Sequence, residues 1–291
     1  MHKPKSILLC SDLDRTLIPN GKAPESPRAR PLLCRLAARS EITLVYVTGR
    51  DKNLIEDAIV DYDLPVPDYA VGDVGTTIYR IEGERNDLHF SPWTDWQAEI
   101  GQDWGDWSHD DLAALLSDFD ELTLQPPGNQ TACKLSYYVT ETDQLKEIAD
   151  RVGDRLAPYD IRAGIITSID EMADVGLLDI LPECATKVHA IEFLMKKSGI
   201  DASRVVYAGD SGNDLPALIS GYPAILVKNA AEDVRRQAVA AVSEKGQRAR
   251  LYLAEGDFMG LNGNYSAGVI EGLAHFMPQS RQWIREALEA L

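Results

Sequence analysis

Arginine and lysine are scarce in this chain of 291 residues: 29 of them stand against 46 aspartates and glutamates, a formal net charge of −17. A general nucleic-acid binder or an acidic-membrane binder needs stripes of cationic side chains to meet phosphate, so neither is expected as a partner. A small phosphorylated ligand stays open, because it needs only a few local cations or a metal ion. Cysteine is sparse as well. Cys10, Cys34, Cys133 and Cys184 are scattered, with no C-x-x-C pair, which argues against a zinc site or a disulfide framework and fits a reduced, cytoplasmic setting. Long apolar runs are missing: no window approaches the roughly 20 residues of a membrane helix. The opening MHKPKSILLC has too short an apolar stretch after its charges for a signal peptide. The five histidines (His2, His89, His109, His189, His275) form no spaced ligand set. There is no G-x-x-x-x-G-K-[ST] loop and no H-E-x-x-H, and GDSGN misses the G-x-S-x-G elbow because position 213 is Asn.

What is present is a chain 45% hydrophobic, long enough for one large domain or two smaller ones. SILLCSDLD reads as a buried strand running into a polar loop, SPRARPLLCRLAA as a helix, EITLVYVTGR as a second such strand and DKNLIEDAIVDY as a second helix. PDYAVGDVGTTIYRI suggests one or two further strands around glycine turns. Strands alternating with helices, each strand followed by a polar loop, predict an α/β fold with a doubly wound parallel sheet. The texture changes near residue 82, where a polar stretch rich in tryptophan precedes LTLQ, ACKLSYYVT, a helix around TDQLKEIADRV, and YDIRAGIITS. These predict an inserted α+β unit at 82–176 within a core formed by 1–81 and 177–291. From LLDILP onward the α/β rhythm resumes, with TKVHAIEFLMKKSG, RVVYAGD, LPALIS and PAILV.

Four short pieces fall at strand ends or a helix start in the predicted core: DLDRT (Asp12, Asp14, Thr16), VTGR (Thr48, Gly49, Arg50), Lys187, and GDSGND (Asp210, Asn213, Asp214). Ligands in such sheets bind beyond the carboxyl ends of the strands. Four carboxylates meeting there would repel one another prohibitively without a cation. A hard divalent ion, Mg²⁺, resolves this, since it commonly takes one or two carboxylates plus waters and phosphate oxygens. Lysine and backbone N–H groups can then hold a phosphoryl group. Each residue has a plainer reading on its own: Thr48 as a strand-end cap, Lys187 as a solvated helix lysine, Asp214 as the cap of a helix whose first turn holds Pro216.

Taken together and in order, the four motifs resemble the haloacid-dehalogenase-like (HAD) phosphohydrolase superfamily, with a Rossmann-like core. The resemblance implies that Asp12 is the nucleophile and forms an aspartyl-phosphate. Asp14 would be the general acid and base. Thr48 and Gly49 would bond the phosphoryl oxygens and Lys187 would offset their charge. Asp210 and Asp214 would bind or orient Mg²⁺, with Asp12 and the backbone carbonyl of Asp14 as further ligands. Arg50 and Asn213 would be substrate contacts.

Within the superfamily, an insert placed between the second and third motifs matches the larger α+β (type IIB) cap, which closes over the core and selects the leaving group. Here the chain is similar to the sucrose-phosphate phosphatases, through DYAVGDVGTTIY, LTLQPPGNQTACKLSYYV, LDILP, GDSGNDL, ILVKNA and SAGVIEGLAHF. The matching sugar contacts would be Gln125, Gln130, Lys134 and Tyr137, whose amides and ammonium suit a polyol. Trp93, Trp96, Trp104 and Trp107 could form a sugar-stacking wall, but their spacings of three and four also fit a helix face packed on the sheet, the reading favoured here. The chain departs from that family's usual pattern at TSIDEMADVGLLDILP, which is longer and lacks paired glycines, at Val188, and at Arg15. The residues from about 278 onward predict an amphipathic helix, a candidate dimer contact. The resemblance implies a Mg²⁺-dependent phosphatase acting on a phosphorylated disaccharide, sucrose 6-phosphate first, with a sugar-phosphate synthase as a candidate partner. Its rivals are a phosphatase for mannosylfructose phosphate, a sugar phosphomutase, and a non-catalytic partner subunit of a synthase.

Overall fold

The computed structural model of the protein describes residues 7–170 and 173–291; the leading segment with His2, and Glu171 and Met172 of the altered stretch, lie outside them. Two compact units emerge. One takes the described residues up to Pro92 together with Lys187–Leu291, and the other takes Trp93–Thr186.

The first unit opens with β1 (Ile7–Ser11), α1 (Ala29–Ala37), β2 (Ile42–Val47), α2 (Lys52–Asp61), β3 (Tyr69–Gly72), β4 (Thr77–Glu84) and β5 (Asp87–Pro92). The second holds α3 (Thr94–Ile100), α4 (His109–Leu115), β6 (Leu122–Leu124), β7 (Leu135–Val139), α5 (Leu145–Leu156), β8 (Ala163–Asp170) and β9 (Val175–Pro182). The chain then returns to the first unit with α6 (Lys187–Ser198), β10 (Val205–Gly209), α7 (Leu215–Leu218), β11 (Ala224–Leu226), α8 (Glu232–Glu244), β12 (Leu251–Leu253), α9 (Ser266–Phe276) and α10 (Ser280–Glu289).

Among the described residues the first unit carries an eight-stranded sheet in the order β12-β11-β10-β1-β2-β3-β4-β5. The six strands from β12 to β3 pair in parallel, and β4 and β5 extend the edge antiparallel. The parallel strands are apolar because helices cover both faces: every residue of β1, β2 and β10 is buried. The chain winds outward from β1 in one direction through β2 and β3, and later in the other through β10, β11 and β12. The strand order therefore reverses at β1, which makes its carboxyl end the switch point where such sheets bind ligands.

The second unit is a four-stranded antiparallel sheet in the order β6-β7-β9-β8. Leu135, Tyr137 and Val139 of β7 and Leu178 and Ile180 of β9 pack with Leu112 of α4 and with Leu145, Ile148, Val152 and Leu156 of α5. Strand alternation puts Ser136, Tyr138 and Asp179 on the opposite face.

Four expectations are revised here. The second unit begins at 93 and ends at 186, rather than at 82 and 176. Residues 82–92 belong to the β4–β5 hairpin, which is hydrogen-bonded onto the first sheet. LLDILP lies in β9, an inner strand of the second sheet. From Val175 to Ile180 half-buried and buried residues alternate along β9, as suits a sheet with helices on one face, not a strand covered on both. The C-terminal helix α10 docks within the chain, with Ile284 fully buried and Trp283, Ala287 and Leu288 packed on the core. Arg28 and Arg35 on one side of α1 donate to the carbonyls of Leu288 and Ala290 at its end. The four tryptophans do not share one helix face: Trp96 lies in α3 and Trp93 just before it, while Trp104 and Trp107 follow that helix. Trp96 and Trp104 are buried, and Trp107 meets Tyr159 edge to face with ring centres 5.1 Å apart.

Candidate active site

Three loops leave neighbouring parallel strands at the same end of the sheet and bring the motifs together. Ser11, the last residue of β1, is level with Ala208 of β10 and Tyr46 of β2. Asp12 therefore emerges beside Asp210 on one side and Thr48 on the other. The Asp12 N–H still donates to Ala208 O at 2.9 Å, and the Thr48 N–H to Val71 O at 2.9 Å, so both residues hang directly from the sheet.

Asp12, Asp210 and Asp214 are all buried, and a carboxylate oxygen from each lies within 4.8 Å of the others. Lys187, the first residue of α6, reaches in from another element. Its Nζ donates to Asp12 Oδ1 at 2.9 Å and to Asp214 Oδ1 at 2.7 Å. Asp214 is the most heavily bonded of the three. Besides Lys187 it accepts from the Tyr207 hydroxyl at 2.6 Å, and from the backbone N–H groups of Asp210 and Ser211 and the Ser211 hydroxyl at 3.1 Å. Asp210 has less support: Thr16 Oγ1 donates to Oδ1 at 3.3 Å, while Oδ2 is buried without a hydrogen bond.

The electrostatics follow from this. Burial, opposed by Lys187 and reinforced by Asp214, pushes the Asp12 carboxyl up to about 7. Burial and the Asp214 charge push Asp210 up to about 6. Burial would also raise Asp214, but Lys187 and the surrounding donors hold it below the usual carboxylate range. Burial disfavours the Lys187 ammonium, but Asp12 and Asp214 outweigh it and keep the group charged. Against three carboxylates stand Lys187 and the half-exposed Arg15, whose Nε lies 3.4 Å from Asp210 Oδ2. The residual negative charge, the hard oxygen donors and an Asp210 oxygen without a hydrogen bond fit a divalent cation.

Asp14 lies outside the carboxylate cluster. Arg50 grips it bidentately, Nε to Oδ2 at 2.8 Å and Nη2 to Oδ1 at 2.7 Å, and Asn20 Nδ2 donates to Oδ1 at 2.7 Å. Burial favours its neutral form, but these donors hold it below the usual carboxylate range. Arg50, expected to meet substrate, is thus engaged with Asp14 and with Leu54 O at 3.0 Å. Thr48 is buried and accepts the Arg50 N–H at 3.2 Å. At Gly49 an added Cβ would meet nothing within 4 Å, so the backbone there borders open space. Asn213 is exposed and accepts from the Ser211 hydroxyl at 2.8 Å.

In the second unit the four expected sugar contacts separate. Tyr137 packs into the hydrophobic core between β7 and α5, as the alternation of its strand requires. Gln125 and Gln130 form the scaffold of the loop before β7. Gln125 donates to Tyr137 O at 3.0 Å, and Gln130 donates to Ser136 O and accepts from Ser136 N, both at 2.8 Å. Lys134 stands just before β7, its Nζ 3.9 Å from Asp179 Oδ1, an oxygen that also accepts from the Ser136 hydroxyl.

Sequence reasoning passed over Tyr207 and Asn20, and quoted Gly209 within GDSGND without giving it a role. Gly209 ends β10, and a Cβ there would lie 2.6 Å from the Asp214 side chain, so only glycine lets that carboxylate tuck under the strand end. Each of these residues acts on a motif residue that is close in space but on another turn of chain, and no local pattern announces that.

The family model described as sucrose-6F-phosphate phosphohydrolase matches residues 5–277. A HAD-like hydrolase of Nitrosococcus oceani is 52% identical over 285 residues, 98% of this chain and 76% of that protein. Sucrose-phosphatase 1 of Nicotiana tabacum is 28% identical over 93% of this chain, which spans 59% of the tobacco protein's length. The mannosylfructose-phosphate phosphatase of Agrobacterium fabrum is also 28% identical, over 92% of this chain and 96% of that one. The fold is that of the sucrose-phosphatase from Synechocystis sp. PCC6803, solved in complex with sucrose and phosphate: the TM-score is 0.66 at 24% identity, covering 94% of this chain and 98% of that one.

Proposed function

The chain belongs to the sucrose-6F-phosphate phosphohydrolase family of HAD-like phosphatases, and from that premise we propose that it hydrolyses a phosphorylated disaccharide, sucrose 6-phosphate first, to the sugar and inorganic phosphate. The observation that carries the chemistry is the Asp12 carboxylate beside Lys187, Asp210 and Asp214 at the switch point of the sheet.

In this reading Lys187 holds Asp12 Oδ1, and Oδ2 attacks phosphorus. The bond from phosphorus to the sugar oxygen breaks, and Asp14 gives that oxygen a proton. An aspartyl-phosphate remains on Asp12. Asp14, now ionised, takes a proton from water, whose oxygen attacks phosphorus, releasing phosphate and restoring Asp12. Thr48 and the open backbone at Gly49 receive the phosphoryl oxygens, with Asn213 beside them, and Lys187 offsets their charge. Asp12, Asp210, Asp214 and the Asp14 carbonyl would hold Mg²⁺, which when bound supplies the positive charge that the carboxylate nucleophile and the phosphoryl group both need. Arg50 acts through Asp14 by fixing its orientation. Sugar recognition falls to the second unit, through Lys134 with Asp179 and with the loop that Gln125 and Gln130 brace.

The sugar is the finer question. Relatives acting on sucrose phosphate and on mannosylfructose phosphate match at the same identity, so mannosylfructose phosphate is the second reading. Phosphate release, with and without Mg²⁺, over sucrose 6-phosphate, mannosylfructose phosphate, trehalose 6-phosphate, hexose monophosphates and an aryl phosphate tests both. We expect Mg²⁺-dependent release with one disaccharide phosphate strongly preferred, and none from Asp12→Asn. Lys134→Ala should lower release from that disaccharide far more than from the aryl phosphate. Equal losses on both remove Lys134 from sugar binding, and interconversion of isomers without release means a mutase.

A further inference from the structure

The loop between β1 and α1 holds a cation that this chemistry does not use. Arg15 follows Asp14 with φ 57°, in the left-handed region. Its backbone is pinned on both sides. The N–H donates to Asn20 Oδ1 at 2.9 Å, and the carbonyl accepts from Asn229 Nδ2 at 2.6 Å. Asn229 is itself fixed, accepting the Tyr265 N–H at 2.8 Å. The side chain is much less constrained. It is 49% exposed, and its Nε lies 3.4 Å from Asp210 Oδ2, the buried oxygen that has no hydrogen bond. Lys187 is committed to Asp12 and Asp214, so Arg15 is the cation that faces Asp210. A cavity of about 470 Å³ opens next to it, lined by Arg15, Asn20, Lys22, Asn229 and Tyr265 among others.

We propose that Arg15 is a displaceable counter-ion of the metal site: it covers Asp210 when no cation is bound, and turns into the neighbouring cavity when a divalent cation takes that carboxylate. The inference rests on Asp12, Asp210 and Asp214 being a cation site. A guanidinium and a dication cannot share one carboxylate oxygen without strong repulsion. An ion pair whose cationic member is half exposed is weak enough to yield. Because both backbone partners hold Arg15 in place, the exchange is confined to its side chain and leaves Asp14 undisturbed. Two consequences follow. Arg15 lowers the affinity for the cation, and it relieves carboxylate repulsion in the metal-free protein.

The test is calorimetric titration of Mg²⁺ into metal-free wild type, Arg15→Asn and Arg15→Lys, with unfolding midpoints measured with and without Mg²⁺. Asn tolerates the left-handed backbone, and Lys keeps the charge. We expect Arg15→Asn to bind Mg²⁺ roughly two- to fivefold more tightly, the range given by removing one cation from a partly exposed ion pair. Arg15→Lys should stay near wild type. Arg15→Asn should unfold earlier than wild type without metal and alongside it with saturating Mg²⁺. If wild type binds Mg²⁺ and Arg15→Asn binds it equally or more weakly, the counter-ion role is overturned while the phosphatase reading stands. If wild type takes up no Mg²⁺, the cation site falls and this inference with it.

Discussion

Asp12 and Asp14 stand two positions apart yet meet opposite surroundings. Asp12 lies among buried carboxylates that favour its neutral form, and Asp14 lies in the fork of Arg50, which favours its ionised form. This separation is the usual mark of two carboxylates with different tasks. It also sets a condition on the first step, since an acid must carry a proton before it can give one. The Arg50 grip must slacken when substrate arrives, or the proton must come with the substrate. Arg50→Ala should therefore raise the pKa of Asp14 and move the limb of the pH–rate profile that reports it to higher pH. A profile that keeps its position in the variant would show that Arg50 does not control Asp14. The motif aspartates were legible because each follows an apolar strand that must end in a polar loop. Tyr207, Asn20 and the Asp210-facing side chain of Arg15 were not. Carboxylates stand near each of them in sequence, but folding chooses which one each meets: Arg15 faces Asp210 rather than its neighbour Asp14, and Tyr207 bonds Asp214.

At the level of elements, the site depends on strand ends held level by hydrogen bonding and on helices that press the strands together. β1 and β10 are neighbours because the second unit, inserted between β5 and α6, does not interrupt the first sheet. The C-terminal helix α10 contributes by closing the outer side of α1. Its amphipathic pattern was plain, but the pattern does not say whether the apolar face meets another copy or the same chain. Fully buried Ile284 decides it. Ile284→Ala should destabilise the first unit by about 2–5 kcal/mol, the ordinary range for a buried aliphatic truncation, measured as a lower urea midpoint. A loss under about 0.5 kcal/mol, as for a surface position, would mean that α10 is only loosely attached.

For the whole molecule, a net charge of −17 and a buried cluster of carboxylates make stability depend on pH and on cations. The Asp12 and Asp210 carboxyls are raised in the fold, so their contribution is fully present below the unfolded value near 4 and is lost as pH rises through about 6 for Asp210 and about 7 for Asp12. Asp14 and Asp214 are lowered, and their contribution is lost only as pH falls below the unfolded value. Between pH 5 and 8 the first pair governs the slope. Metal-free protein should unfold at a lower temperature at pH 8 than at pH 5, Mg²⁺ should raise the midpoint more at pH 8, and Asp210→Asn should flatten the metal-free slope. A metal-free midpoint that rises from pH 5 to pH 8 would contradict the electrostatic account.

The amino-acid sequence by itself determined the α/β core, the presence of an inserted unit and the identity of the motif residues. These depend on short-range periodicity and on polar loops that follow apolar strands, and both are written locally. It did not determine where the insert begins and ends, because no local pattern says that the β4–β5 hairpin joins the first sheet through β3 while β9 joins the second through β7 and β8. Nor did it decide which face of β7 Tyr137 occupies: a strand declares that its side chains alternate, while the helices that pack on one side choose which set is buried. The same holds at the carboxylate cluster. Sequence supplied the charges, but only the tertiary structure decided that Lys187 bridges Asp12 and Asp214 and leaves Asp210 facing Arg15, because the balance of burial and pairing exists only once β1, β10 and α6 are side by side.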